Sequence, residues 1–236
     1  MEDKILERFK MQKLKAFTLA EIIITMGIVG VIAALTVPDL VSDYQNKAMA
    51  VKIRKSVNDV ESAIDQYITA EGKTNFAQTK VMTNRQSIDG FVRENFRVIK
   101  ACGGTNACQR DCAAGDEACA QEVATCKEQV AAAGCFANEK YISLDNSAST
   151  NFNCSETSYI LADSTAICMT INSGLLDVHI DVNGSEPPNI GGRDMFKFTV
   201  NSKVEINGGD AANCEKNSNG YGCIAKLQQN NWKMDY

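Results

Sequence analysis

The sequence predicts an α+β protein: a long N-terminal helix packed on a C-terminal antiparallel β-sheet, with a disulfide-stapled helical insert between the two. Three observations carry this reading. Residues 17–37 form an apolar run with a single charge, Glu21. Residues 38–72 repeat apolar side chains at mostly helical spacing, which makes the second half of the helix amphipathic. From residue 140 onward, short runs of branched and aromatic residues alternate with clusters of Asn, Gly and Ser, as in antiparallel hairpins.

Bulk composition narrows the function classes. The 236 residues are 44% hydrophobic, enough for a substantial core, and hold only three prolines, which argues against a disordered linker protein. The formal net charge is -5, so there is no basic footprint and no direct nucleic-acid binding is expected. Ten cysteines accompany one histidine, and no Cys-x-x-Cys occurs. Zinc sites favour close thiol pairs with histidines, so the even thiol count reads as disulfides in an oxidising compartment.

Residues 1–16, MEDKILERFKMQKLKA, hold five Lys/Arg and three Asp/Glu and no apolar run. The 21 residues of 17–37 follow, and as a helix they span about 32 Å, close to the hydrocarbon thickness of a bilayer. A positive flank before the run and none just after it keeps the N-terminus in the cytoplasm and exports the rest. A secretory signal would have a shorter apolar region and an A-x-A-like site, which Ala33, Ala34 and Pro38 fit poorly. An uncleaved anchor explains the length but not Glu21, since a charge at mid-bilayer costs about 2.5 to 3.5 kcal/mol. Gly27, Gly30, Ala33 and Ala34 recur at three- to four-residue spacing and give a face on which helix backbones can approach closely; membrane helices also hold Gly and Ala for no such reason. Pro38 removes one backbone donor and is expected to bend the helix without ending it. The pattern over 38–72 runs through Leu40, Val41, Tyr44, Ala48, Val51, Val57, Val60, Ile64, Tyr67 and Ile68, with Gly72 as the stop.

The stretch KAFTLAEIIITMGIVGVIAALTVP, residues 15–38, resembles the N-terminus of type IV prepilins and type II secretion pseudopilins. The resemblance covers about 25 residues. It implies a pilin-like fold and removal of residues 1–16 by a prepilin peptidase between Ala16 and Phe17. It also implies N-methylation of Phe17 and an assembly role for Glu21 and Pro38, which stand at the family's offsets from Phe17, as do Thr18 and Leu19. Ala16 departs from the family's usual Gly, and slower cleavage is expected. In this family the Glu carboxylate pairs with the N-terminal amine of a neighbouring subunit, so that each neutralises the other in lipid. The implied partners are the peptidase, the membrane and other pilin-like subunits in a homo- or hetero-oligomer. The implied location is a single-pass inner-membrane precursor, then a periplasmic or cell-surface filament. Residues 17–236 carry a charge of -7. Nothing in the sequence separates pilus from pseudopilus.

Residues 73–139 form the predicted insert. They include SIDGFVRENFRVIK, read as a short helix, and six cysteines within 34 residues. Cys108, Cys112, Cys119 and Cys126 are spaced four, seven and seven apart, on one helix face or across a helical hairpin turning near AAGDE. Asp116 is the expected N-cap and Gly134 the C-cap. Nested bridges Cys112–Cys119, Cys108–Cys126 and Cys102–Cys135 are one of fifteen connectivities. An insert without a large core needs such staples whether or not it also binds a partner.

In the predicted β region, 140–236, Cys154 and Cys168 are expected to pair, as are Cys214 and Cys223, with Trp232 and Tyr236 docking the chain end. HIDVNGSEPPNIGGRDMF offers Asp181, Asn183, Ser185, Asn189 and Asp194 in a Gly/Pro-rich loop, oxygen donors of the kind Ca²⁺ prefers. It lacks the EF-hand spacing, and Asp and Asn also cap turns with no cation present. The stretch resembles a loop in the C-terminal sheet of pilin-like proteins, some of which bind calcium there, without a residue-by-residue match. His179 lies on a strand with Asp177 on the same face and no nucleophile in sight; with no G-x-S-x-G, phosphate loop or H-E-x-x-H, no enzyme is expected. The competing expectations are a filament subunit and a membrane-anchored extracytoplasmic binding protein that uses residues 17–37 only as an anchor.

Overall fold

A computed structural model of the chain describes residues 17–84, 87–102, 116–118, 121, 134–137, 139–152 and 154–236. The chain divides into two compact units, Met1–Gln45 and Asn46–Tyr236.

Helix α1 runs Leu19–Ala70 and continues through Pro38. Its first part is built from strong helix formers and apolar β-branched residues, and its large side chains are exposed: Phe17 is 79% accessible, Leu19 78% and Leu35 72%. Among the described residues α1 is the one helix long and apolar enough to cross a membrane. In the second unit the same helix buries a stripe, Ala50, Ile53, Val57, Val60, Ala63 and Ile64. The spacing of three and four residues keeps these side chains on one face. Leu40, Val41, Tyr44 and Val51, read from sequence as part of the amphipathic face, are exposed. Helical periodicity shows that a face exists and not what covers it. The helix stops at Gly72, whose φ of 63° suits glycine. The amide of Lys73 donates to the Ile68 carbonyl and that of Gly72 to Thr69, a Schellman closure.

A 3₁₀ turn at Phe76–Gln78 and helices α2 (Lys80–Thr83) and α3 (Ser87–Asn95) follow. The sheet then begins earlier than residue 140. Strand β1, Val98–Cys102, takes up the end of the stretch read from sequence as one short helix. The remaining strands are β2 (Tyr141–Ile142), β3 (Ser149–Thr150), β4 (Ser158–Leu161), β5 (Ala166–Asn172), β6 (Leu175–Asp181), β7 (Met195–Val200) and β8 (Ile206–Asn207). Strands β1-β4-β5-β6-β7-β8 form one antiparallel sheet, and β2 pairs with β3. A second 3₁₀ turn, Ala211–Lys216, and helix α4, Cys223–Gln229, close the chain.

Alternation along the strands makes two cores. Tyr159, Ile167, Met169, Leu176, Val178, Ile180, Phe196 and Phe198 join the α1 stripe, Phe76 and Phe91 in the larger cluster. The opposite face carries Ala166, Cys168 and Met195, which cluster with Cys102, Cys135, Phe136 and Tyr141. Disulfides join Cys102 to Cys135, Cys154 to Cys168 and Cys214 to Cys223. The expected Cys108–Cys126 and Cys112–Cys119 pairs lie outside the described residues, as does Ala16. Trp232 and Tyr236 pack against the larger core, and the Tyr236 hydroxyl donates to the Gly192 carbonyl at 3.0 Å.

Candidate functional site

Two places hold the residues that sequence singles out: the start of α1, and the β6–β7 loop.

At the start of α1, Thr18 and Glu21 form a capping box. The Thr18 amide and hydroxyl donate to Glu21 Oε2 at 2.9 and 2.8 Å, and the Glu21 amide donates back to Thr18 Oγ1 at 3.3 Å. Two of the orphan amides of the helix start are thereby satisfied by side chains. Thr25 also donates its hydroxyl to the Glu21 carbonyl, at 2.8 Å. The signal was present in the sequence as Thr-x-x-Glu, immediately before an apolar run, and the reading of residues 17–37 as a membrane segment passed over it. Oε1 of Glu21 takes part in none of these bonds. One turn and more beyond, Gly27 and Gly30 have space around them: a Cβ at either would meet nothing within 4 Å. Ala33 is half-buried, and Ala34 and Pro38 are exposed on the same helix.

The β6–β7 loop brings Asp181 and Asp194 together as two fully buried carboxyl groups. The Tyr141 hydroxyl donates to Asp181 Oδ2 at 2.5 Å and the Asn183 amide to Oδ1 at 3.1 Å. Asp194 accepts the amides of Asn189 and Ile190 at 2.6 Å each and of Met195 at 2.9 Å. The Asn183 side-chain amide donates to the carbonyls of Glu186 and Pro187. Burial, then the nearby Asp194 charge, pushes the Asp181 carboxyl up to about 7. Burial also raises Asp194, against the pull of its backbone donors. A hard cation needs several oxygens turned toward one point. Here every carboxylate oxygen of the pair already accepts a hydrogen bond from the chain. Ser185 is exposed, and among the described residues no three His, Cys, Asp or Glu gather. The arrangement is a latch that fixes the loop to β2 and β7, and Tyr141, its third member, was not foreseen. The side-chain oxygens of Asn183 and Asn189 remain buried without a hydrogen-bond partner.

His179 sits on β6 opposite Lys197, with its ring 4.6 Å from that of Phe152. Burial, then the charge of Lys197, lowers its pKa to about 3, so the imidazole is neutral. Its Nδ1 is buried without a partner. Asp177, two residues away on the same face, pairs with Lys197 at 3.3 Å.

No protein-family model, no curated protein and no solved structure matches the chain.

Proposed function

We propose that the chain is a structural subunit of an extracytoplasmic helical filament, a type IV pilus or type II secretion pseudopilus, with a pilin-like architecture. A prepilin peptidase removes residues 1–16 between Ala16 and Phe17, and Phe17 is N-methylated. The observation that carries this is a carboxylate in the first turn of a long helix whose large apolar side chains are exposed, at fixed offsets from Phe17 and Pro38. An exposed apolar helix of this length needs lipid or other helices around it. Within either surrounding an ionised Glu21 is costly, and a neighbouring subunit's N-terminal ammonium offsets that cost. Thr18 holds one oxygen of the carboxylate, which leaves Oε1 for the incoming amine. Gly27 and Gly30 give the close approach that such packing uses.

The capping box favours a second reading. It gives Glu21 a role inside its own chain, compatible with a simple membrane anchor carrying a binding domain. Glu21→Gln separates the two, because Gln also closes a capping box but carries no charge. A filament subunit bearing Glu21→Gln fails to assemble, as does Glu21→Ala, while remaining in the membrane. If Glu21→Gln filaments form at the wild-type level, the charge-pair reading is overturned. Intact mass of the membrane-fraction protein provides the second arm: a filament subunit lacks residues 1–16 and carries one added methyl group, and an anchor retains them.

A further inference from the structure

A cleft of about 370 Å³ opens in the second unit where α1, the α3–β1 connection and the β4–β5 turn meet. One wall is a polar stripe of α1 formed by Lys55, Asp59, Ser62 and Gln66, whose spacing of four, three and four residues keeps them on one face. Arg97 and Asp163 come from the other two segments. Phe96, Leu161 and Ala63 supply apolar lining, and all three belong to or pack against the larger core, so the cleft has a fixed base. Its volume falls within the range of small-ligand sites.

The charges in this cleft do not cancel locally. Lys55 Nζ is shared between Asp59 Oδ2 at 2.8 Å and Asp163 Oδ2 at 3.2 Å. Asp163 Oδ1 accepts the Thr165 amide at 3.2 Å. One lysine against two aspartates leaves a surplus negative charge, with Asp59 Oδ1 outside these bonds. Arg97 is held at its backbone, its carbonyl accepting the Ala162 amide at 3.0 Å. Arg97 is exposed, and no carboxylate among the described residues pairs with it. The cleft is therefore lined by one carboxylate with a free oxygen and by an arginine that has no ionic partner among the described residues, with Ser62 and Gln66 beside them.

The geometry points to a binding site for a small zwitterion of the amino-acid class, its carboxylate on Arg97 and its ammonium on Asp59. A planar guanidinium takes a carboxylate in two parallel hydrogen bonds, and an ammonium is a compact charge that fits a single free carboxylate oxygen. Neither half alone answers the cleft: an anion leaves the Asp59–Asp163 surplus uncompensated, and a cation leaves Arg97 unpaired. The groups are partly exposed, with side-chain accessibility of 60% at Lys55 and 47% at Asp59, so water weakens each contact. Two exposed contacts of this kind sum to about 2 kcal/mol at most, so the expected dissociation constant is about 1 mM or weaker. This inference does not depend on filament assembly.

The test is calorimetric titration of the full chain in detergent micelles with glycine, β-alanine, γ-aminobutyrate and 6-aminohexanoate, which scan the separation of the two charges. Butyrate and butylammonium are the single-charge controls. At least one zwitterion is expected to bind saturably, with both controls tenfold weaker or worse. Arg97→Gln and Asp59→Asn are each expected to weaken that zwitterion about tenfold while the melting curve stays in place. The proposal is overturned if no zwitterion binds saturably, if butyrate binds as tightly as the best of them, or if both variants bind normally.

Discussion

Asp181 shows how a single buried group sets a pH dependence. Its ordinary pKa of 3.8 rises to about 7 in the folded chain, through burial and then the neighbouring Asp194. Below the ordinary carboxylate range both folded and unfolded chains carry the proton, and well above 7 neither does. Between those limits only the folded chain keeps it, so the contribution of Asp181 is present at acid pH and is lost as pH rises toward 7. The loss amounts to up to about 4 kcal/mol. Asp194 shifts in the same direction and adds to the trend. Urea unfolding of wild type and Asp181→Asn at pH 5 and pH 8 checks this: the difference in stability between the two proteins should shrink or reverse at pH 8. An equal offset at both values would mean that Asp181 is ionised throughout. Tyr141→Phe removes the hydroxyl that donates to Asp181 and accepts from the Ala137 amide, leaving Asp181 Oδ2 and the Ala137 amide without these partners. A loss of about 1 to 3 kcal/mol is expected by the same measurement. Sequence pointed to Asp181 and Asp194 through their Gly-rich setting. It was silent on Tyr141, 40 residues away, because only the folded register brings them into contact.

Along α1, neighbouring residues have opposite fates, and the sequence pattern alone did not separate them. Ile53 is fully buried and Val51 is 68% accessible, two positions apart on one helix. Ile53→Ala should therefore cost about 2 to 5 kcal/mol, and Val51→Ala under about 0.5, in denaturant unfolding of the chain. Comparable losses at both positions would mean that Val51 is covered as well. The alternating runs of β5, β6 and β7 were legible from sequence because each strand has a core on both sides, and period-2 patterning survives when the second face is Cys, His and Asp. Strand β1 was missed because Val98 and Ile99 continue the apolar spacing of α3 without an intervening glycine or proline. Helix α4 was missed for a different reason: its N-cap is Gly222 in a left-handed conformation with no side-chain hydrogen bond, so no Ser, Thr, Asp or Asn announces it. The Cys214–Cys223 bridge fixes that helix start covalently, which makes a capping side chain dispensable.

At the scale of the whole chain, the division into two units predicts that the second folds without the first. Among the described residues, both clusters of buried side chains are drawn from residue 50 onward. The exposed large hydrophobics are concentrated instead between Phe17 and Tyr44. A chain beginning at Asn46 removes most of that surface and starts α1 on Asn, one of the preferred N-cap residues. It should be soluble without detergent, unfold in one cooperative transition, and melt within a few degrees of the full chain in micelles, as followed by circular dichroism. Breaking a staple inside this unit is the informative contrast. Cys154 and Cys168 are 14 residues apart, and closing a loop of that size is worth about 3 kcal/mol by chain entropy. Replacing both by Ser in the shortened chain should therefore lower its stability far more than deleting residues 1–45 does, because the bridge lies within the smaller core of the second unit. A shortened chain that is aggregated, or that melts without cooperativity, would show that the second unit draws its stability from the first.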